Sequence, residues 1–172
     1  SYGWQIDQAG ETASLIAMIR TGQSQLREPL YSKKAQDRTT DWGKTYVEID
    51  LTNQHVYMYQ DGNLAWDAPC VTGNVSKNYT TPEGIYSLTY KHTDRVLRGE
   101  KKADGTYEYE SHVDYWMPFN GGIGLHDASW RSKFGGTIYQ YGGSHGCINL
   151  PSGKAQTLYD MVYTGIPVIC YN

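Results

Sequence analysis

The chain has 172 residues, a formal net charge of −3 and a pI of about 5.9. A chain of this length can bury one substantial hydrophobic core. Its Lys and Arg residues are scattered, so it lacks the basic surface of a nucleic-acid-binding protein, and we expect no nucleic-acid partner. It also lacks a run of 18 apolar residues, which excludes a membrane-spanning helix of ordinary length.

The first residues contain no secretory signal peptide, and the chain starts at Ser1 instead of a methionine. We interpret the sequence as a piece of a longer protein, with any export signal or membrane anchor lying upstream. We therefore expect contact with a membrane only through such an anchor, and we expect the protein to be a monomer.

Residues 1–43 differ in pattern from the rest of the chain. Apolar residues recur at helical spacing between Glu11 and Arg20, which predicts a short amphipathic helix. Residues 27–43 are polar and aperiodic, which predicts a linker. Because one helix cannot form a core by itself, we predict that residues 1–43 are the remnant of an upstream domain with its linker. Residues 44–172 are then a separate domain.

A β pattern begins at Lys44. Short segments of alternating apolar and polar residues, separated by Gly-containing turns such as Asp61-Gly62-Asn63, predict half-buried strands and hairpins. A helix is predicted from Ser152 to Tyr163, followed by a strand from Val168 to Tyr171. The predicted fold is mainly β: a single β-sandwich or barrel-like domain with one or two short helices.

Residues 92–114 interrupt this pattern with a long polar segment. Its centre contains Lys101 and Lys102, and its flanks carry Tyr90, Tyr107 and Tyr109. A long polar segment in a compact domain is usually mobile or functional. We predict a hairpin lid with a soluble tip and aromatic flanks that close over a ligand; an ordinary surface hairpin is the alternative.

The segment from His126 to Leu150 concentrates the candidate catalytic residues. Cys147 lies in Ser144-His145-Gly146-Cys147, where small residues let a substrate approach closely. A cysteine accompanied by His126 and His145 suggests a thiolate nucleophile and its base. Two alternatives remain open: Cys147 is a small buried residue, or these three residues ligate zinc at a spacing unlike that of common zinc sites.

The chain contains three cysteines in all. Cys70 and Cys170 both lie in strand-like apolar segments, where a small buried side chain is the simplest interpretation. A disulfide between them is conceivable, but the sequence alone does not establish it. In an exported protein an odd number leaves at least one thiol unpaired, and a catalytic role for Cys147 explains such a thiol.

Three ordered motifs in this segment resemble the signature of the bacterial L,D-transpeptidases, which cross-link peptidoglycan. They are His126-Asp127-Ala128-Ser129-Trp130, Phe134-Gly135 and Ser144-His145-Gly146-Cys147-Ile148-Asn149-Leu150. The similarity extends over about residues 44–172. It makes residues 44–172 the expected catalytic domain and residues 92–114 the family's hairpin lid. Residues 1–43 resemble the end of the peptidoglycan-associated domain that often precedes this catalytic domain.

The resemblance implies that Cys147 is the nucleophile and His126 its base. In the family pattern the backbone carbonyl of the next residue, here Asp127, orients the imidazole, so the Asp127 side chain is not required. His145 is expected beside the oxyanion region, although its i, i+2 spacing from Cys147 leaves it as a competing base. Backbone N–H groups around Gly146 and Cys147 are the expected oxyanion donors.

We expect the substrate-binding residues to surround the same loop. Ser144 would steady the loop, and aromatic side chains would form the walls of the cleft. For Phe134 and Trp130 a position in the core is the alternative. The expected substrate-binding set is Ser144, Tyr115, Trp116, Trp130 and Asn149.

The implied reaction begins with attack of Cys147 on the carbonyl of the third residue of a stem tetrapeptide, which expels D-Ala. An amine of a neighbouring stem then resolves the thioester. The resemblance implies peptidoglycan stem peptides as partners, carbapenem-type β-lactams as inhibitors, no metal and no organic cofactor. It also implies a location on the outer face of the bacterial envelope. A non-catalytic wall-binding module and an L,D-carboxypeptidase are the alternative functions.

Overall fold

The computed structural model describes residues 2–172, which divide into two compact units between Gly43 and Lys44. Each unit has its own secondary structure, and the two are described separately. Within residues 2–172, no helix combines the length and the apolar content needed to cross a bilayer.

The first unit contains helix α1 (Gln8–Thr21), which is longer at both ends than the sequence predicts. Asp7 caps its N terminus by accepting a hydrogen bond from the Gly10 N–H at 3.0 Å. Gly22 ends the helix at a φ of 65°, a left-handed conformation that glycine adopts without strain. No residue of α1 is buried, and Ile19 is 77% exposed, so the apolar face of the helix remains largely open.

The predicted linker at residues 27–43 contains regular structure. Strand β2 (Tyr31–Lys33) lies within it and pairs antiparallel with β1 (Gln5–Ile6). Arg27 also forms an ion pair with Glu11 of α1 at 2.6 Å. The polar composition concealed this order because charge pairing and backbone hydrogen bonds, which leave no apolar periodicity, contribute to holding the segment.

The second unit contains a five-stranded sheet in the order β5-β4-β3-β11-β6. Strand β11 runs parallel to β3 and antiparallel to β6, and the other pairs are antiparallel. Asp61 and Gly62 have positive φ values of 52° and 83°, as in the two-residue hairpin turn predicted there. The strands are β3 (Tyr46–Asp50), β4 (His55–Gln60), β5 (Asn63–Pro69), β6 (Gly84–Ser87) and β11 (Pro167–Tyr171).

A four-stranded sheet in the order β10-β9-β8-β7 completes the second unit. Strands β9 and β10 are parallel, whereas β8 is antiparallel to both β7 and β9. The strands are β7 (His92–Arg98), β8 (Glu110–Asn120), β9 (Ile123–Asp127) and β10 (Ile148–Leu150). Two helices accompany them: the short α2 (Ile138–Gly142), which the sequence did not predict, and α3 (Ser152–Met161), which it did.

Both sheets and α3 contribute to one hydrophobic core. Alternate residues of the central strands point into it, as the period of two in the sequence requires. The prediction of a mainly β sandwich is confirmed, and within residues 44–172 the two sheets do not close into a barrel. Fully buried members include Val47, Ile49, Val56, Met58, Met117, Leu125, Ile148, Leu150 and Leu158.

A buried amide ties the segment after β5 to the turn before β4. The Gln54 side chain donates hydrogen bonds to the Leu51 carbonyl at 2.7 Å and to Thr72 Oγ1 at 2.8 Å. Its oxygen accepts a hydrogen bond from the Thr72 N–H at 2.9 Å. Gln54 is fully buried, so these bonds replace water for a group that would otherwise be costly to bury.

We expect Gln54→Leu to lower the free energy of unfolding by roughly 2–4 kcal/mol, because the Leu51 carbonyl and the Thr72 N–H would remain buried without these partners. Urea unfolding followed by circular dichroism measures the loss. Gln60→Leu, at an exposed position of β4, is the matched control. A loss no larger in Gln54→Leu than in this control would contradict the stabilising role.

Candidate active site

Cys147 lies in the loop that leads into β10 and lines a cavity of about 210 Å³. His126 and Asn149 line the same cavity, because β9 and β10 are parallel neighbours with Asn149 opposite His126. The Cys147 side chain is half-buried, and its thiol donates a weak hydrogen bond to the Gly122 carbonyl at 3.5 Å. The structure therefore brings together the predicted nucleophile and the predicted base.

The loop before Cys147 is held by the hydroxyl of Ser144. This hydroxyl donates to the Cys147 carbonyl at 2.6 Å and accepts from the Gly146 N–H at 3.0 Å. The Gly146 N–H is therefore occupied, which corrects the expectation that it is free to bind an oxyanion. The Cys147 N–H has no hydrogen-bond partner within residues 2–172 and is the donor that remains available.

Thr81 fixes the direction of that donor, and the sequence analysis did not identify it. Its buried hydroxyl donates to the Gly146 carbonyl at 2.7 Å and accepts from the Gly73 N–H at 3.1 Å. In a trans peptide the C=O and the following N–H point in opposite directions. By holding the Gly146 carbonyl on one side, Thr81 directs the Cys147 N–H to the other. No local sequence pattern marks Thr81, because it acts across a long separation in the chain.

The imidazole of His126 is buried in β9 with one defined tautomer. Its Nδ1 lies 2.7 Å from the Asp127 carbonyl oxygen, which can only accept, so Nδ1 carries the proton. Its Nε2 lies 3.0 Å from the amide nitrogen of Asn149, which donates to it. The Asp127 carboxylate has a different role, because it accepts a hydrogen bond from the Tyr115 N–H at 2.9 Å.

Burial sets the protonation of both reacting groups. It raises the pKa of the Cys147 thiol to about 11, and a hydrogen bond from the Gly124 backbone opposes the rise. It also lowers the pKa of His126, against the raising effect of the Asp127 carbonyl and carboxylate. At neutral pH the resting site thus holds a neutral thiol and a neutral imidazole. A thiolate forms only if a proton moves within the site.

His145 is held in the wall of the cavity by two tyrosine rings. Its ring centroid lies 4.5 Å from that of Tyr79 and 4.6 Å from that of Tyr109, and its Nε2 lies 3.5 Å from Glu108 Oε1. Two tyrosine rings therefore pack close to the imidazole and one of its nitrogens faces a carboxylate, while the His145 side chain itself is exposed. This geometry favours His126 over the competing His145 as the base.

The expected aromatic substrate-binding residues lie in three different environments. Trp130 lines the cavity and is 51% exposed, so it is not a core residue. Trp116 is buried, with its ring centroid 5.9 Å from that of His126, and Tyr115 packs against Tyr159 of α3. The expectation that Tyr115 and Trp116 wall the cleft is therefore corrected. Trp116 lies opposite His126 in the sheet and on the same side, but its ring is buried beneath the cavity surface, whereas Tyr115 faces the other side of β8 toward α3.

Asn149 and Arg131 form a connected pair beside His126. The amide oxygen of Asn149 accepts a hydrogen bond from Arg131 Nε at 2.8 Å, while its amide nitrogen donates to His126. Asn149 was expected to contact substrate, but in this state both ends of its amide are engaged within the protein. Arg131 was not predicted; its place directly after the last residue of the first motif, Trp130, was the available signal.

Phe134, for which a core position was the alternative, is half-buried and does not line the cavity.

The hairpin formed by β7 and β8 reaches the cavity from one side. Leu97, Tyr109 and Ser111 of this hairpin line the cavity together with Cys147. Its strands begin and end within or near the predicted range of 92–114. The position is suitable for a lid, and the opening and closing motion stays a prediction.

The remaining sequence hypotheses concern cysteine and metal chemistry. Cys70 and Cys170 are buried and free, so the conceivable disulfide is not formed. Burial raises the pKa of Cys170 to about 12 and raises that of Cys70 as well. Residues 2–172 contain no cluster of three His, Cys, Asp or Glu side chains placed to bind a metal ion.

Three solved structures illustrate the similarity: two of the L,D-transpeptidase from Enterococcus faecium and one of the enzyme named Ldtfm. A cysteine-to-serine mutant of E. faecium L,D-transpeptidase is 36% identical, with a TM-score of 0.84 over 99% of this chain and 66% of that chain. The Ldtfm-avibactam carbamoyl enzyme is 37% identical, with a TM-score of 0.85 over the same shares. The E. faecium catalytic domain acylated by ertapenem is 41% identical, with a TM-score of 0.65 over 75% of this chain and 98% of that chain.

The present chain thus spans 66% of the length of the first two structures. A search of curated protein sequences gives no match. A family model, YkuD, described as the L,D-transpeptidase catalytic domain, matches residues 44–170. The resemblance seen in the sequence motifs is confirmed, and the chain belongs to the YkuD family of L,D-transpeptidase catalytic domains.

Proposed function

We propose that the chain cross-links peptidoglycan stem peptides through a thioester on Cys147, releasing D-Ala from a tetrapeptide donor. The observation that carries the proposal is one cavity that joins a thiol, its own unpartnered backbone N–H and a neutral buried imidazole. A nucleophile, an oxyanion donor and a base are the parts that acyl transfer requires. The peptide substrate itself is inferred from the family.

In the first half-reaction His126 Nε2 accepts the thiol proton while Cys147 Sγ attacks the carbonyl carbon of the third stem residue. The Cys147 N–H stabilises the oxyanion that forms. The C–N bond to the terminal D-Ala then breaks, and the proton on His126 passes to the departing amine. Before this transfer, Nε2 must exchange its hydrogen bond to Asn149 for one to the thiol, because it has one lone pair.

In the second half-reaction an amine of a neighbouring stem attacks the thioester carbonyl. His126 takes the amine proton, the C–S bond breaks, and the proton returns to Cys147 as the thiol is regenerated. Water in place of the amine would give an L,D-carboxypeptidase, which is the alternative activity of the same site. The β7–β8 hairpin beside Cys147 is placed to exclude water during this step, which favours transfer over hydrolysis.

Inhibition by carbapenems forms part of the proposal. The E. faecium catalytic domain acylated by ertapenem supports acylation by a carbapenem, and the Ldtfm-avibactam carbamoyl enzyme supports covalent modification by a second class of inhibitor. We further propose that the protein acts on the outer face of the bacterial envelope, where its substrate lies. Residues 1–43 would belong to a domain that precedes the catalytic domain.

The nucleophile is tested by mass spectrometry of the full chain after incubation with a carbapenem. We expect wild-type protein to gain the mass of one inhibitor at Cys147 and Cys147→Ala to gain none, since the two other thiols are buried. Cys170→Ala is the control and should be labelled like wild type. An adduct on Cys147→Ala would disprove the assignment, and an unlabelled wild type would favour a non-catalytic wall-binding module.

The base is tested by comparing His126→Ala with His145→Ala. Loss of a general base should slow carbapenem acylation by roughly 100-fold or more. Loss of the base should also raise the apparent thiolate pKa in the pH dependence of Cys147 alkylation, because the proton acceptor is missing. We expect that rise in His126→Ala. Its appearance in His145→Ala alone would reverse the assignment of the two histidines.

The role of Thr81 is tested with two variants of similar size. Thr81→Val loses the hydrogen bond to the Gly146 carbonyl, so the Cys147 N–H is no longer held in direction. We expect the acylation rate at saturating carbapenem to fall about 10-fold or more, with little change in the half-saturating concentration. Thr81→Ser keeps the hydroxyl and should restore most of the rate. Equal impairment of both variants would show that packing, not the hydroxyl, matters.

A further inference from the structure

Three hydrogen bonds connect Arg131, Asn149 and His126 with the Asp127 carbonyl in one series. The distances are 2.8 Å from Arg131 Nε to the Asn149 oxygen, 3.0 Å from the Asn149 nitrogen to His126 Nε2, and 2.7 Å from His126 Nδ1 to the carbonyl. Asn149 is 2% exposed and His126 is 3% exposed, so water cannot readily replace these partners.

The Arg131 guanidinium can only donate and the Asp127 carbonyl can only accept, so the three hydrogen bonds between them have only one possible set of directions. A guanidinium has only donors, so the oxygen of the Asn149 amide must face Arg131. The amide nitrogen must then face His126, and it is a donor with no lone pair to offer. Nε2 is consequently an acceptor and carries no proton, while the Asp127 carbonyl requires the proton on Nδ1. The hydrogen bond from Arg131 therefore determines which atom of the Asn149 amide is the oxygen and which is the nitrogen.

Protonation of His126 would place an Nε2–H against the Asn149 N–H. Two buried donors facing each other lose a hydrogen bond and repel, so this arrangement disfavours the imidazolium. The charged groups that act on His126 are Asp127 of its own strand and Arg131 of the following loop. Two uncharged side chains also pack against the His126 ring: Trp116 from β8 and Trp130 from the loop after β9. The Cys147 thiol in the same cavity is neutral as well.

We propose that Arg131 is a positioning residue that fixes the amide of Asn149 as a donor to His126 Nε2 and so keeps the imidazole unprotonated in the resting enzyme. The inference rests on the proposed function in that His126 is taken as the base. Arg131 does not touch the reacting atoms. Through Asn149, it keeps His126 Nε2 unprotonated and able to accept a proton. The Cys147 thiol can displace the Asn149 amide from Nε2 when substrate binds.

The proposal is tested first by nuclear magnetic resonance, with the ring nitrogens of ¹⁵N-labelled histidines followed against pH in the full chain. His126→Ala identifies the signals of His126. In Arg131→Met the amide of Asn149 is free to turn and offer its oxygen to Nε2–H, so we expect the titration midpoint of His126 to rise by about one pH unit. In Asn149→Asp a carboxylate faces Nε2, and we expect a larger rise.

The kinetic counterpart is the pH dependence of carbapenem acylation. In Arg131→Met we expect the acid limb of the rate profile to move upward with the His126 midpoint, and the rate to recover at high pH. Arg131→Lys keeps a donor and a positive charge and should stay close to wild type. Lys133→Met removes the same charge from an exposed position of the same loop and should change neither profile.

An unchanged His126 midpoint in Arg131→Met would overturn the proposal, and the rise in Asn149→Asp shows that the measurement detects a change at this position. An equal shift in Lys133→Met would overturn it as well, because net charge and not the amide orientation would then be responsible. Acylation reduced equally at every pH in Arg131→Met would assign Arg131 a purely structural role. A wild-type protein that carbapenem does not acylate would instead remove the proposed function, while the titration of His126 would still decide the role of Arg131.

Discussion

The parallel pairing of β9 with β10 is the constraint on which the site depends. It places Asn149 directly opposite His126 and brings the loop that carries Cys147 to the end of the strand that carries the base. Side chains alternate along a strand, so a slip of one residue would turn His126 away from the cavity. Ile148 and Leu150, both fully buried in β10, hold the register because any slip would expose them.

The second constraint is the satisfaction of backbone groups around the nucleophile. Ser144 occupies the Gly146 N–H and the Cys147 carbonyl, and Thr81 occupies the Gly146 carbonyl. Once these groups are paired, the Cys147 N–H is left without a partner among residues 2–172. The electrostatic part of the site is thus prepared before substrate binds, so little reorganisation is needed as charge develops. Polar pairing across distant segments, and not local propensity, gives the loop its shape.

The sequence predicted the mainly β fold because alternation is a local signal, and it predicted the meeting of Cys147 with His126 through the resemblance of the motifs that carry them to the L,D-transpeptidase signature. Thr81 was missed because its hydroxyl bonds to Gly146, 65 positions away, and Arg131 was missed because only its place directly after the first motif marks it. Tyr115 was placed wrongly for a related reason. Its aromatic character suggested a cleft wall, but the face of β8 on which it lies depends on strand register and on the position of α3.

The three free cysteines, Cys70, Cys147 and Cys170, differ in how readily an oxidant can reach and attack them. Oxidants attack the thiolate far faster than the thiol, so susceptibility follows both accessibility and pKa. Cys70 and Cys170 are shielded by burial, while Cys147 is accessible but has a pKa near 11 in the resting state. The accessible sulfur is therefore almost entirely protonated at neutral pH. Burial thus leaves the one accessible thiol among the described cysteines in its form of low reactivity toward peroxide.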